Sequence, residues 1–113
     1  MPVALHPEQI SYESVTIANG QTTSGAIKIF GTTLCGVVVP ASFTGTTLQF
    51  QGSHDGTNFN TLYKDGADLS VTVTSSKFVV LQPADFAGVN YLKLVSGSAQ
   101  TGDKVLYLAC RAI

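Results

Sequence analysis

Charged side chains are scarce in this chain: Asp, Glu, Lys and Arg make up 12% of its 113 residues, about half the share of an ordinary globular domain. The six basic residues are scattered and the formal net charge is −1. Binding to nucleic acid rests on phosphate neutralisation by clustered Lys and Arg, so this distribution argues against that partner class. Tryptophan is absent, which weakens a sugar-stacking role and leaves only Tyr12, Tyr63, Tyr91 and Tyr107 to supply it. The two cysteines, Cys35 and Cys110, are too few for a disulfide scaffold or a zinc site of their own. Both fall in apolar, strand-like runs and are expected as buried, reduced thiols. No apolar run approaches the roughly 18 residues that span a bilayer, so a membrane is not an expected partner. Met1-Pro2-Val3-Ala4-Leu5-His6-Pro7 has neither the basic start nor the apolar core of a signal peptide, and synthesis in a cytoplasm is the expectation.

Ser, Thr and Gly are plentiful, and the apolar residues follow a period of two. Tyr12 to Ala18, Thr47 to Gly52, Leu69 to Thr74 and Lys104 to Ala112 alternate, as half-buried strands do. Asn19-Gly20, Asp55-Gly56 and Asp65-Gly66 supply turn signals between runs. The pattern predicts eight or nine short strands and no helix beyond single turns. Leu48, Phe50, Val71, Val73, Phe78, Val80, Leu92, Leu94, Leu106 and Leu108 are expected to point inward. Short, evenly spaced strands with Gly-rich turns imply an all-β, two-sheet antiparallel sandwich, jelly-roll or Greek-key-like.

An internal echo refines this picture. Val37-Val38-Val39 leads into Pro40-Ala41-Ser42-Phe43-Thr44-Gly45 and then a strand from Leu48; Val79-Val80-Leu81-Gln82 leads into Pro83-Ala84-Asp85-Phe86-Ala87-Gly88 and then a strand from Leu92. Each Pro removes a backbone donor and ends its strand. The repeated Pro-Ala-x-Phe-x-Gly is expected to carry the chain between sheets, with Phe43 and Phe86 plugging the two ends of the core. Pro40, Gly45, Pro83 and Gly88 complete this structural set. Residues 1–11 form an expected arm, bracketed by Pro2 and Pro7, ahead of a sandwich over residues 12–113.

Groups that could carry chemistry are few. Only His6 and His54 offer a general base. Ser53-His54-Asp55 sits on one turn, whereas a catalytic triad converges from separate places around an oxyanion hole; a turn-forming Asp beside an exposed His is the better reading. Ser53-x-Asp55-Gly56-x-x-Phe59 is similar to the Asp-box of sialidases but one residue short between Asp and Gly, leaving an Asx-stabilised turn anchored by Phe59. Asp55, Asp65 and Asp68 match no calcium loop. Neither a catalytic residue nor a cofactor or metal site is expected.

Gly36 to Gly45, Phe50 to Phe59, Gln82 to Gly88 and Tyr91 to Gly97 together resemble small proteins encoded among the structural genes of tailed bacteriophages. The resemblance covers roughly residues 15 to 112 and transfers no catalytic residue. It implies a non-enzymatic virion component made in a bacterial host, most similar to capsid cement or head decoration proteins. The implied partners are the major capsid protein and further copies of the chain, most simply as a trimer. Pro2, Val3, Leu5 and Pro7 of the arm are then the expected partner contacts. The rival expectations are another virion part (tail, adaptor or fibre tip), a host-glycan-binding module, and a small hydrolase.

Overall fold

A computed structural model of the chain describes residues 10–112. Pro2, Val3, Leu5 and Pro7, with the rest of the expected arm up to Gln9, lie outside the described residues. The strands are β1 (Ile10–Ile17), β2 (Ile27–Lys28), β3 (Thr32–Val38), β4 (Thr47–Ser53), β5 (Asn60–Thr61), β6 (Tyr63–Lys64), β7 (Ala67–Asp68), β8 (Ser70–Thr72), β9 (Phe78–Val80), β10 (Tyr91–Ser96) and β11 (Lys104–Ala112). Ile10 and Ser11 pair with Arg111 and Cys110, so the last two residues of the expected arm belong to the sandwich.

Two antiparallel sheets face each other. The first has the order β1-β11-β3-β9; the second has β2-β10-β4-β5, with β8 also on β4, and β6-β7 forms a separate small hairpin. Leu34, Val37, Leu106 and Leu108 of the first sheet and Leu48, Phe50, Leu92 and Leu94 of the second are fully buried between them. Period-two alternation, interrupted in β3 by one extra residue between Leu34 and Val37, puts these residues on the facing sides, and their burial is the main stabilising term. Val71 is half-buried against this core.

Both echo segments cross between the sheets, at opposite ends. The first links β3 to β4 and the second links β9 to β10, while β3 pairs antiparallel with β9 and β4 with β10. A local two-fold relating the two halves generates this arrangement. Phe43 and Phe86 are buried at the two crossings, and Phe86 meets Phe50 edge to face with ring centroids 5.1 Å apart. The two crossings then differ locally. The second is a single 3-10 turn, Pro83–Phe86, whose first position suits the donor-less proline. The hydroxyl of Thr33 donates to the Pro83 carbonyl at 2.5 Å. The first crossing has no helical turn and uses left-handed backbone at Ser42 (φ 58) and Gly45 (φ 98). A side chain at Gly45 would meet Ser98, whereas one at Gly88 would enter open space.

Several expectations are corrected. Phe78 and Val80 point outward, because Val79 is the β9 residue opposite the buried Val37. With three apolar residues in a row, the sequence of β9 carries no alternation to choose a face. Cys35 is half-buried rather than buried; the pairing of β3 with β11 shifts register between Ala109 and Cys110, leaving Cys35 as the extra residue of a bulge. Asn19-Gly20 does form the expected turn, with the Gln21 N–H donating to the Ala18 carbonyl at 2.9 Å, and its backbone also bonds to Gln100 and Asp103 of the loop before β11.

Replacing Phe86 or Phe43 with Ala should each cost roughly 3–5 kcal/mol, read as lowered urea midpoints. Gly45→Ala should cost on the order of 1–2 kcal/mol, while Gly88→Ala should leave the midpoint almost unmoved.

Candidate functional site

In an antiparallel pair, directly opposite residues lie on the same side of the sheet. The register of the first sheet therefore sets out its outer face in rows. One row is Tyr12–Ala109–Gly36–Val80. The next is Ser14–Tyr107–Val38–Phe78. Thr16 and Val105 begin a third, and Ile10 beside Arg111 lies on the other side of the first. Eight of the ten residues in the first three rows are apolar or aromatic, counting Gly36. An outer sheet face normally alternates to polar, and this one does not. Val80 is 82% exposed, Tyr12 57%, Phe78 52% and Tyr107 51%. Gly36 leaves room at the centre, because a side chain there would lie 2.6 Å from the nearest carbon of the Phe78 ring, which would have to shift. The Phe78 ring therefore packs directly against Gly36.

The second sheet is the opposite case. Its outer rows are Lys28–Tyr91–Ser53, Lys93–Gln51–Thr61, Val95–Gln49–Ser70 and Thr47–Thr72. Amides, hydroxyls and two ammonium groups dominate. The Lys93 ammonium lies 4.3 Å from the Phe59 ring centre and that of Lys28 4.5 Å from the Phe30 ring centre, as cation–π pairs do. Phe59 is thus half-buried under a lysine rather than seated in the core.

The polar turn after β4 was the densest chemical motif in the sequence. Asp55 Oδ1 accepts from the backbone N–H groups of Thr57 (2.9 Å) and Asn58 (3.0 Å) and from the Ser53 hydroxyl (2.9 Å). These bonds, Asn58 first and Thr57 next, hold its carboxyl well below the usual carboxylate range. The Ser53 hydroxyl is spent on Asp55 and also accepts from the Gly56 N–H at 2.9 Å. His54 is exposed, with its ring 3.9 Å from the Asp55 carboxylate. Serine and histidine are therefore not paired as nucleophile and base. Beside this turn is a shallow depression of about 200 Å³ lined by Gly52, Ser53, His54, Asn60, Leu62, Gly88 and Val89. Among the described residues, no three His, Cys, Asp or Glu side chains gather as metal ligands.

The echo residues Pro40, Phe43, Gly45, Pro83, Phe86 and Gly88 therefore lie at the sandwich ends and build the scaffold. The apolar outer face went unread in the sequence. Its signal was available in the phase of β11: Val105 and Tyr107 occupy the positions where an outer face is ordinarily polar.

No family model and no curated protein matches the chain. Among solved structures it is similar to the CBM32-1 module from a family 31 glycoside hydrolase of Clostridium perfringens. The identity is 10%, over 91% of this chain and 94% of that one, with a TM-score of 0.56. This likeness is one of fold, a β-sandwich.

Two titrations follow. The folded pKa of Asp55 lies below its unfolded value near 3.9, so the turn's contribution to stability is present above about pH 4 and is lost only as pH falls through the folded value. Carboxyl NMR should show Asp55 titrating below the usual carboxylate range, and Ser53→Ala should raise its pKa. Burial pushes the Cys110 thiol up to about 11, so alkylation near pH 8 should modify Cys35 first and Cys110 only on unfolding.

Proposed function

We propose that the chain is a non-enzymatic virion structural protein, a cement or decoration module that sits on the outer surface of the shell built by the major capsid protein. The observation that carries this reading is the one-sidedness of the sandwich, with an apolar outer face on one sheet and a polar one on the other. A module that lies on a larger protein surface needs one dry face and one wet face. The scarcity of charge fits as well, since few charged groups lose water when the face is covered. The resemblance to phage structural proteins supplies the identity of the shell.

Magnitude favours a shell over a single partner. With strands about 4.8 Å apart and same-face residues about 6.8 Å apart along them, the ten residues of these rows together with Ile10 and Arg111 make roughly 400 Å². Stable interfaces take about 800 Å² per partner. One face is thus a weak contact, and weak contacts become effective when copies are repeated or linked on a symmetric lattice. Further copies of the chain and an arm carrying Pro2, Val3, Leu5 and Pro7 would add to the same attachment.

A second reading is favoured by a specific observation. The structural neighbour is a carbohydrate-binding module, and the depression beside His54 and Asn60 offers polar groups at one end of a sandwich. In that case the chain is a host-glycan-binding module. The neighbour supports this reading and does not bear on the capsid.

The experiment is to add purified protein to undecorated particles and count bound copies. Val80→Asp, on an exposed side chain, should leave the unfolding midpoint nearly unchanged and lower occupancy at least tenfold. Deleting Met1 to His6 should also lower occupancy while the domain stays folded. Wild-type occupancy by Val80→Asp would refute docking through this face. Failure of the intact protein to bind particles, together with glycan binding that His54→Ala and Asn60→Ala weaken, would establish the second reading instead.

A further inference from the structure

Among the described residues the first sheet ends on a long open edge, where β1 runs eight residues, Ile10–Ile17, and pairs only with β11. The other outermost strands are short: β9 and β8 have three residues, β2 and β5 have two. Open edges are commonly blunted by proline, lysine, a bulge or an inward-pointing charge. Among residues 10–17 there is no proline and no lysine, and the pairing of β1 with β11 runs without a register shift. The guard present is Glu13. It shares the core-facing side of β1 with the buried Val15 and Ile17, yet it is exposed.

We infer that this edge is a contact between two copies of the chain, β1 against β1 in antiparallel order about a two-fold axis. The inference rests on the docking reading above, because it supplies the area that one face lacks. Joining two sheets at this edge sets their apolar faces side by side, giving roughly 800 Å², the size a stable interface requires.

Glu13 selects the register. Only registers that place outward residues opposite outward residues keep the two apolar faces on one side. Centring the axis on Glu13 would oppose two carboxylates, which is destabilising. Centring it on Ser14 would set Glu13 against Val15 of the second copy. Centring it on Tyr12 sets the two Tyr12 rings side by side on the outer face and places Ser11 opposite Glu13, where the hydroxyl can donate to the carboxylate. Aromatic cross-strand pairs and hydrogen-bonded polar pairs are both favourable. The structure therefore assigns the Tyr12-centred register, which joins the two faces into one sheet surface and turns Glu13 from a general guard into a register key.

Sedimentation equilibrium at tens of micromolar should give twice the 11.8 kDa chain mass. Tyr12→Cys, mildly oxidised, should run largely as a covalent dimer under non-reducing conditions, because directly opposite residues bring their Cα atoms to about 5 Å. Ser14→Cys should cross-link at least several-fold less. Val80→Asp should leave the dimer intact, whereas Ser14→Pro should give monomer with a retained β-type circular dichroism spectrum. A monomeric or trimeric mass for the intact protein, dissolution by Val80→Asp, or equal cross-linking at positions 12 and 14 would each overturn the proposal. Particle occupancy separates the two readings: a monomer that still binds particles removes only the edge contact, and a dimer that does not bind them removes the docking reading.

Discussion

Everything in this sandwich depends on sealing a core one layer thick. Two sheets about 10 Å apart leave space for a single stratum of interdigitated side chains, open wherever a strand does not cover it. Leu48, Phe50, Leu92, Leu94, Leu106 and Leu108 fill the slab. Water would reach them from the two ends. The ends are closed where the chain must in any case pass between sheets, so one segment performs both tasks. At the 3-10 crossing Phe86 is the stopper, locked against Phe50. At the other crossing Phe43 is helped by a polar plug. Gln100 is buried, and its amide donates to the Thr44 carbonyl and the Ser96 hydroxyl at 2.8 Å each while accepting from the Thr44 N–H at 3.0 Å. A buried amide short of partners would cost about 1–3 kcal/mol. Satisfied on both sides, it ties the loop before β11 to the first crossing.

The sequence made the core and the crossings legible, and it did so through alternation and repetition. Leu92 and Leu94, or Leu106 and Leu108, can face only one way if their neighbours are Lys93 or Tyr107. The echo exposed the crossings because two short peptides with one task must solve the same steric problem. Legibility ended where alternation did. Phe78-Val79-Val80 offers no polar marker, and its phase is fixed by its partner Val37 across the sheet, a long-range fact. The glycines of the echo look equivalent in sequence, yet Gly45 needs a left-handed φ and Gly88 does not. The Asp55 turn was recognisable because its bonds are local, spanning Ser53 to Asn58.

The apolar outer face was hidden by the habit of assigning every apolar strand residue to the core. A residue count cannot distinguish a sandwich with a large core from one with a modest core and a second dry surface. The register distinguishes them, because it opposes Tyr107 to Val38 and Val38 to Phe78 on one side and Leu108 to Val37 on the other. Gly36 makes room on that surface, since with a side chain at this position the Phe78 ring would have to shift.

A dry face is a risk as well as a means of attachment, since exposed apolar area promotes indiscriminate association. The rest of the surface limits that risk by geometry rather than by charge. β9, the strand with the most exposed apolar residue, is only three residues long, so it offers a poor edge for strand addition. The long edge at β1 carries Glu13, which disfavours registers that oppose two carboxylates or bury one. The second sheet keeps its polar rows, with Lys28 and Lys93 held over aromatic rings. Covering the dry face therefore leaves rows of hydroxyls, amides and two cations facing water, with Phe30 and Tyr63, among the described residues, as the large apolar side chains still exposed away from it, too little for a second layer of apolar contacts to grow on. In the docked state proposed above, the same asymmetry that drives attachment also ends it after one layer.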